Sequence, residues 1–283
     1  GAYGAVDGPI SDAVFGALRA CGIDIEGRAS PLTQHLPAVA SPAPLAIWLA
    51  TYLAVVGLGL AFGRQKDPKQ KDPAWLKALV NLHNLFLIAL SSYMCSAAIY
   101  QAFVVNKYAF WGQGYDVKEE GMGRVIYIFY ISKLYEYFDT FIMILKGNLH
   151  QVTFLHVYHH VSISFIWWVI AYHAPGGDAW YSCSLNSFIH VLMYTYYLLA
   201  SLGGKDAAFK RKYLWWGRYM TQMQMAQFVT MMAQAYYTMH HSPYPRFLSS
   251  LLFCYMISLL ALFANFYVQR WVLKQPKGAK KQQ

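Results

Sequence analysis

Charged side chains are scarce in this sequence of 283 residues. They make up 13% of it, against roughly 25% in an ordinary soluble domain, whereas 57% of the residues are hydrophobic. Cysteine is equally scarce: the chain has four, with no Cys-x-x-Cys pair and no spacing typical of a disulfide framework or a zinc site. These absences exclude an ordinary soluble domain and a small stapled one, and they indicate a membrane protein.

Uncharged runs long enough to cross a membrane account for most of the chain. A helix needs about 20 apolar residues to span the hydrocarbon, and six uncharged runs reach that length. A seventh run, Val125 to Leu145, is long enough but contains charged residues. We therefore predict an all-α membrane protein with seven transmembrane helices. The other predicted spans are Ala43 to Gly63, Ala78 to Asn106, Gln151 to Gly177, Ala179 to Gly204, Tyr219 to Pro245 and Phe247 to Gln269.

Basic residues alternate between the two ends of these spans. The connections 64–77, 146–150 and 205–213 and the tail from Arg270 hold 15 of the 23 Lys and Arg residues. By the positive-inside rule these segments are cytosolic, so the N-terminus is lumenal or external and the C-terminus cytosolic. A basic surface that binds nucleic acid would not alternate in this way, and no nucleic-acid partner is expected.

The bundle is expected to form one domain, because no repeat or shift in composition marks a second one. We predict a lumenal N-terminal segment over residues 1–42, a seven-helix domain over 43–271 and a cytosolic basic tail over 272–283. The N-terminal segment contains an amphipathic stretch, Ile10 to Cys21. Two lysines at the third and fourth positions from the C-terminus resemble a dilysine retrieval signal of the endoplasmic reticulum. A solvated basic tail is the alternative.

Three histidines interrupt the apolar run from Gln151 to Gly177. If the run is helical, His156, His159 and His160 lie at i, i+3 and i+4 and project from one face. Ionisable side chains inside a membrane usually face the interior of the bundle and serve a function, so we predict that the imidazoles line a functional site. The alternative, a structural histidine bonded to a backbone carbonyl, would account for one of the three.

Span three places charged side chains within the membrane. Lys133, Glu136 and Asp139 follow three-residue spacing, and Thr140 comes next. Burying an isolated charge costs several kcal/mol, so these groups should pair with one another and face a polar cavity. A structural ion pair that joins two helices is the alternative, and the two interpretations are compatible.

Spans five and six add polar side chains at helical spacing. In span six, Gln224 and Gln227 follow Thr221 on one face. Because amides in a membrane also join helices by hydrogen bonds, substrate contact and interhelical bonding remain equal alternatives for them. One face of span five holds Asn186, His190, Met193, Tyr194 and Tyr197.

Spans one and two offer fewer signals. Span one is nearly uniform in Ala, Leu and Val, so we predict that it holds no polar group in need of a partner and lies at the periphery of the bundle. In span two, His83 and Asn84 are adjacent polar residues in an apolar context. Capping of the helix and orientation toward the interior are equal alternatives for this pair.

Four blocks of the sequence together resemble the signature motifs of the ELO family of very-long-chain fatty acid elongases. They are Lys133-x-x-Glu136-x-x-Asp139-Thr140, Phe154-Leu155-His156-Val157-Tyr158-His159-His160, Asn186-Ser187-x-x-His190-Val191-x-Met193-Tyr194-x-Tyr196-Tyr197 and Thr221-x-x-Gln224-x-x-Gln227. The resemblance implies a 3-oxoacyl-CoA synthase that joins an acyl-CoA to malonyl-CoA and releases CO2 and CoA. It also implies a fold in which six helices enclose a narrow substrate tunnel and one helix is peripheral.

The resemblance assigns the chemistry to histidine. His159 is the expected nucleophile of a ping-pong route through an acyl-imidazole, since no cysteine lies in a motif and an imidazole can itself be acylated. The residues expected to orient it, move protons, hold tautomers or stabilise the enolate are His156, His160, His190, Asn186, Glu136 and Asp139.

The implied ligands are acyl-CoA and malonyl-CoA as co-substrates, with no metal and no further cofactor. Basic residues at the cytosolic side suit the phosphates of coenzyme A. The implied partners are membrane lipid and the ketoacyl-CoA reductase, dehydratase and enoyl reductase of the elongation cycle, and a homodimer is left open. The expected substrate contacts are Lys133, Thr140, Met193, Tyr194, Tyr197, Gln224, Gln227 and Arg218.

Finer features resemble one branch of the family. Phe188 and Ile189 before His190, and Tyr158 in the histidine motif, resemble the branch that acts on polyunsaturated chains. The turn from His173 to Gly177 is similar to that of the Δ6-type elongases of lower plants. The expected substrate is therefore a polyunsaturated acyl-CoA.

Two other functions are compatible with a His-x-x-His-His run. A membrane diiron desaturase or hydroxylase uses the same run, but it needs several histidine boxes, and this chain has one. A transporter that relays protons through clustered histidines is the second alternative, and it would work without malonyl-CoA.

Overall fold

The computed structural model describes residues 2–67, 70 and 72–273, and every regular element among them is helical. Lys280 and Lys281, together with all of the predicted tail beyond residue 273, lie outside the described residues. Short π turns, Gln101–Val105 and Val268–Val272, extend α3 and α10. The helices are α1 Ala2–Ala20, α2 Ala43–Phe62, α3 Ala74–Tyr100, α4 Glu120–Tyr135, α5 Tyr137–Leu145, α6 Phe154–His173, α7 Ala179–Gly203, α8 Ala207–Tyr213, α9 Met220–His241 and α10 Arg246–Tyr267.

Four helices in the described ranges are long and apolar enough to cross a membrane, judged by length and composition: α2, α3, α6 and α10. They correspond to predicted spans one, two, four and seven. α7 and α9, with 25 and 22 residues, have the length to span and contain no Asp, Glu, Lys or Arg, but their polar side chains make them less apolar. The full count of seven spans therefore stays a prediction.

Predicted span three is two helices rather than one. Glu136 separates α4 from α5 and has φ −61° and ψ −13°. Its own N–H bonds to the carbonyl of Ser132 at 2.9 Å, four residues back, but the N–H of Asp139 bonds to the carbonyl of Glu136 at 3.0 Å, only three residues back. The expectation of one unbroken helix from Val125 to Leu145 is wrong because the hydrogen-bond register tightens at this residue.

Aromatic packing holds the bundle together. The most extensive helix pairings are α3 with α7, α9 with α10 and α4 with α6. Between α4 and α6, the rings of Phe129 and Trp167 lie 4.3 Å apart, and both residues are buried. Burial of large rings supplies much of the packing energy in such a core.

The N-terminal segment packs on the end of α6. Phe15 of α1 contacts the rings of Trp168 and Tyr172, with centroid distances of 6.1 and 5.6 Å. The hydroxyl of Thr33 donates to a backbone carbonyl of α6 at 2.5 Å. The amphipathic stretch from Ile10 to Cys21 thus belongs to a longer helix whose apolar side covers this end of the bundle.

α2 exposes most of its surface, but one of its residues reaches the interior. Tyr52 is fully buried, its hydroxyl lies 3.1 Å from Oγ1 of Thr140, and its ring stacks on Tyr137 at 4.4 Å. The expectation that span one holds no polar group in need of a partner is wrong, because a buried phenol must find a hydrogen-bond partner.

Candidate active site

A cavity of about 1230 Å³, which we call the chamber, lies between α3, α5, α6, α7, α9 and α10. Three basic residues that follow the ends of α5 and α10 line one part of its wall, which we call the mouth: Lys146, His150 and Arg270. Its wall brings together residues from all four sequence motifs. The predicted site residues on it are Glu136, Asp139, His156, His159, His160, Asn186, His190, Met193, Tyr194, Tyr197, Gln224 and Gln227.

A narrower cavity, which we call the slot, adjoins the chamber. The slot follows α6 past Ile163, Ile166 and Ile170, and its walls are mostly apolar. From His159 to Ile170 the helix rises by roughly 16 Å. Four residues line both cavities, namely His159, Asn186, Gln227 and Phe228. His159 thus lies where a polar chamber meets an apolar slot.

The three histidines of α6 face the chamber, as predicted from their spacing. Thr153 caps the helix, and its side chain accepts the backbone N–H of His156 at 3.3 Å. The ring of His160 lies 4.5 Å from that of His156 and 5.3 Å from that of His159. Within the described part of the chain no hydrogen bond engages the His159 ring, so it remains available to a ligand.

The first carboxylate of the site, Glu136, belongs to a buried charge network. Lys133 Nζ donates to Glu136 Oε1 at 2.7 Å and to Asn186 Oδ1 at 3.0 Å. His190 Nδ1 lies 3.4 Å from Glu136 Oε1, an ion-pair distance rather than a hydrogen bond. Lys133 is 1% exposed and does not line the chamber. It therefore supports the wall from behind, which agrees with both the ion-pair and the cavity interpretations.

The second carboxylate, Asp139, has an imidazole partner that sequence reasoning left undecided. His83 Nε2 lies 2.8 Å from Asp139 Oδ1, and the hydroxyl of Tyr194 donates to Asp139 Oδ2 at 2.6 Å. His83 and Asn84 both line the chamber, so the interior orientation is the correct alternative for this pair. The polar pair in an otherwise apolar run was the available signal.

Thr140 links the histidine motif to α2. Its Oγ1 lies 2.7 Å from His156 Nε2 and 3.1 Å from the hydroxyl of Tyr52. Thr140 is fully buried and does not itself line the chamber. The chain of three groups connects the most exposed helix of the bundle to the reactive wall.

Both glutamines of α9 line the chamber, and one of them also contacts another helix. Gln224 Nε2 lies 3.9 Å from the sulfur of Met193 on α7, a weak contact between helices, and Gln224 also lines the chamber. Gln227 Nε2 contacts the sulfur of Met231 at 3.9 Å. Its Oε1 has no hydrogen-bond partner among the described residues, although it is buried at the junction of the two cavities.

Arg218 is not brought to the chamber. It lies in the 3₁₀ turn before α9, is exposed, and donates to the hydroxyl of Tyr219 at 2.6 Å. At the mouth, Lys146 forms an ion pair: its Nζ lies 3.2 Å from Asp72 Oδ2. Partial burial raises the pKa of Asp72, but the hydrogen bond from Lys66 and the charge of Lys146 outweigh it, so the pKa lies below its ordinary value.

Metal-ligand geometry does not occur in the described ranges. No three His, Cys, Asp or Glu side chains among those residues converge as the ligands of a metal ion would. His156 contacts the hydroxyl of Thr140, and His160 contacts the ring of Tyr137.

These features define a class of protein: a helical protein with apolar helices of membrane-spanning length, whose imidazoles and carboxylates line a chamber that meets a narrow, mostly apolar slot. Residues 37–279 match the family described as ELO: GNS1/SUR4. The chain therefore belongs to the ELO family of fatty acid elongases, and it is a multi-pass membrane protein. Membership confirms the enzyme class that the four motifs predicted, a very-long-chain 3-oxoacyl-CoA synthase.

Curated relatives agree over most of their length. The chain is 39% identical over 240 residues to human very long chain fatty acid elongase 5, which covers 83% of this chain and 76% of the human protein. The mouse protein of the same name gives the same values. The Xenopus tropicalis protein is 37% identical over 251 residues, covering 85% of this chain and 79% of the relative.

Proposed function

We propose that the protein condenses a long-chain acyl-CoA with malonyl-CoA to give a 3-oxoacyl-CoA, CO2 and CoA, with His159 as the nucleophile. The observation that carries the assignment is the position of His159 on the wall shared by the chamber and the slot. A thioester whose tail fills the slot places its carbonyl carbon at this junction, and its CoA part extends through the chamber to the mouth.

In the first half-reaction a nitrogen of the neutral His159 ring attacks the thioester carbonyl. The N–acyl bond forms, the C–S bond breaks, and the ring loses its N–H proton as CoA leaves. His160 and His156 are the adjacent imidazoles that take part in proton movement. Thr140 bonds to one nitrogen of His156, which leaves the other for this role.

In the second half-reaction malonyl-CoA loses CO2, and the resulting carbanion attacks the acyl carbonyl. The new C–C bond forms as the N–acyl bond breaks, and uptake of one proton at the released nitrogen regenerates the neutral imidazole. The developing enolate needs hydrogen-bond donors. Because Asn186 accepts from Lys133 through Oδ1, its amide nitrogen is the atom left to donate into the chamber. Glu136 and Asp139 position His190 and His83 on the same wall.

The rest of the assignment concerns the membrane and the partners. Seven spans, with α4 and α5 as one broken span, put the basic connections and the chamber mouth in the cytosol. CoA phosphates then meet Lys146 and Arg270, with Arg218 further out. The proposed location is the endoplasmic reticulum, with the N-terminus lumenal and the C-terminus cytosolic. The proposed partners are the reductase, dehydratase and enoyl reductase of the elongation cycle, and no metal or further cofactor is proposed.

A polyunsaturated acyl chain is the proposed substrate. Support comes from the branch-like residues Tyr158, Phe188 and Ile189, of which Ile189 lines the chamber. A panel of acyl-CoAs with malonyl-CoA, read by mass spectrometry, tests this finer point.

CoA release and intact mass, measured on the purified protein in detergent, test the proposed reaction. Acyl-CoA alone should release CoA and leave an acyl adduct on the protein by intact mass, and malonyl-CoA should then discharge the adduct as 3-oxoacyl-CoA. CoA release that requires malonyl-CoA would contradict the acyl-imidazole. Stoichiometric bound iron in elemental analysis favours the diiron alternative, and transport without malonyl-CoA after reconstitution favours the transporter.

A further inference from the structure

The end of the slot remote from His159, which we call the floor, is polar although the slot walls are apolar. The floor consists of Asp178, Ser182, Gln234 and Thr238, and all four line the slot. Each is 4% exposed or less. A cavity that received only a methyl end would be sealed at lower cost by apolar side chains, because buried polar groups must be hydrogen-bonded.

Two floor atoms have no partner in the part of the chain that the structure describes: Gln234 Oε1 and Ser182 Oγ. The orientation of the Gln234 amide is fixed, because its Nε2 donates to the backbone carbonyl of Asp178 at 3.1 Å. Oε1 is therefore left as an acceptor. Ser182 follows Asp178 by one helical turn, and its hydroxyl can donate and accept. The floor thus contains an open acceptor, Gln234 Oε1, and an open hydroxyl, Ser182 Oγ.

The carboxylate of Asp178, the charged group of the floor, already has hydrogen-bond donors. Asp178 Oδ1 accepts the backbone N–H of Gly112 at 3.0 Å, and its Oδ2 accepts the hydroxyl of Ser242 at 2.6 Å. The hydroxyl of Thr238 donates to a backbone carbonyl of α9 at 2.8 Å. No cation among the described residues lines the slot. A second carboxylate would therefore be repelled there, whereas a neutral hydroxyl would complete the two open hydrogen bonds.

We propose that the floor is a subsite for a neutral hydrogen-bonding group at the far end of the acyl chain, and that the enzyme elongates ω-hydroxyacyl-CoA substrates. A terminal hydroxyl donates to Gln234 Oε1 and exchanges a hydrogen bond with Ser182 Oγ. The floor lies roughly 10 Å from the junction along α9, the helical rise from Gln227 to Gln234. This inference rests on the proposed function, because the tail must lie in the slot.

The experiment compares matched acyl-CoAs on the purified full-length enzyme with malonyl-CoA. At the chain length that the enzyme elongates fastest, kcat/KM is measured for the methyl-ended chain, for the ω-hydroxy chain with one carbon fewer, and for the corresponding ω-carboxy chain. The variants are Gln234→Met, which keeps the length of the side chain, and Ser182→Ala. The control is Gln222→Met, the same substitution at an exposed position of α9.

The ω-hydroxy chain should be used at least as well as the methyl-ended chain by the wild type and by Gln222→Met, and the ω-carboxy chain should be rejected. In Gln234→Met the ratio of ω-hydroxy to methyl-ended kcat/KM should fall about tenfold, with a smaller fall in Ser182→Ala. An unchanged ratio in both variants, or rejection of the ω-hydroxy chain by the wild type, overturns the subsite while methyl-ended turnover upholds the condensation. Absence of turnover with every chain overturns the proposed function itself.

Discussion

The chamber and the slot share a wall but are built on different principles. In the chamber some polar groups are held by others, as Glu136 is by Lys133 and Asp139 is by His83. Among the described residues the His159 ring has no hydrogen bond, and His160 Nδ1, His190 Nδ1 and Gln227 Oε1 also lack a partner. In the slot, isoleucine, methionine and aromatic side chains form most of the wall, and polar side chains lie at the junction with the chamber, at Ser249 and at the floor. The comparison indicates that the proposed chemistry depends on how the polar side chains of the chamber are paired. The choice of acyl chain would depend on the side chains that pack around the slot.

The largest expected effect is at the junction of the two regions. His159→Ala should abolish condensation and acyl-adduct formation, because the proposed nucleophile is lost, while the protein still purifies as a folded species. His240→Ala, at the exposed end of α9, is the matched control and should keep normal turnover. Near-normal turnover of His159→Ala would remove this residue from the mechanism.

The second-largest effect is expected at the buried ion pair of Lys133 with Glu136. Glu136→Gln leaves the buried Lys133 ammonium without a counter-charge, so stability should fall by about 3–5 kcal/mol. A lower unfolding temperature in detergent would report it. Glu120→Gln, at the start of α4, breaks an exposed pair with Arg124 and should change little. Equal behaviour of the two variants would mean that the buried network does not stabilise the bundle.

A third prediction tests whether His83, on the α3 wall of the chamber, contributes to turnover. His83→Phe keeps the ring stacked against Tyr135 but removes the donor to Asp139, so kcat should fall about tenfold with little change in KM. His83→Gln retains a donor and should recover part of the loss. A change in KM alone would place His83 in substrate binding instead.

A smaller effect is expected from the exposed helix. Tyr52→Phe removes the hydroxyl that contacts Thr140 and should lower kcat severalfold, because Thr140 then orients His156 less firmly. Tyr100→Phe, on the exposed side of α3, is the control. If the pH profile of kcat is the same for Tyr52→Phe and wild type, the link between α2 and His156 is only structural.

The smallest effect concerns the floor. Burial raises the pKa of Asp178, against the opposing hydrogen bonds of Ser242 and backbone N–H groups. The folded state therefore holds the proton more tightly than the unfolded state. The stability from this group is complete below the unfolded value, about pH 4, and is lost as pH rises through the raised folded value. Unfolding temperatures should lose this pH dependence in Asp178→Asn but keep it in the exposed control Asp116→Asn.

Sequence patterns predicted the parts of the molecule that depend on local spacing. The histidine face of α6 and the pairing of Lys133 with Glu136 follow directly from helical periodicity. The break at Glu136 was not predictable from hydropathy, because it is a change in backbone hydrogen-bond register within an apolar run. Tyr52 was missed for a different reason: its partner, Thr140, is distant in sequence, and a single tyrosine in an apolar helix carries no period.

The tertiary fold also decides which basic residues line the chamber, and the sequence did not predict this. Arg218 was favoured because it lies at the edge of a predicted span, but a short 3₁₀ turn directs it to an exposed position beside Tyr219. Lys146 and Arg270, which follow the ends of α5 and α10, both line the chamber. Charge counts assign such residues to a side of the membrane, whereas the fold decides which of them approach the cavity.

The wall shared by the two cavities has a consequence for the order of events. His159, Asn186, Gln227 and Phe228 line both cavities, so an acyl tail in the slot and its CoA part in the chamber would meet there. In the proposed reaction the acyl-CoA and malonyl-CoA both use the chamber, so CoA must leave before malonyl-CoA enters. The two CoA thioesters would therefore occupy the chamber in turn rather than together.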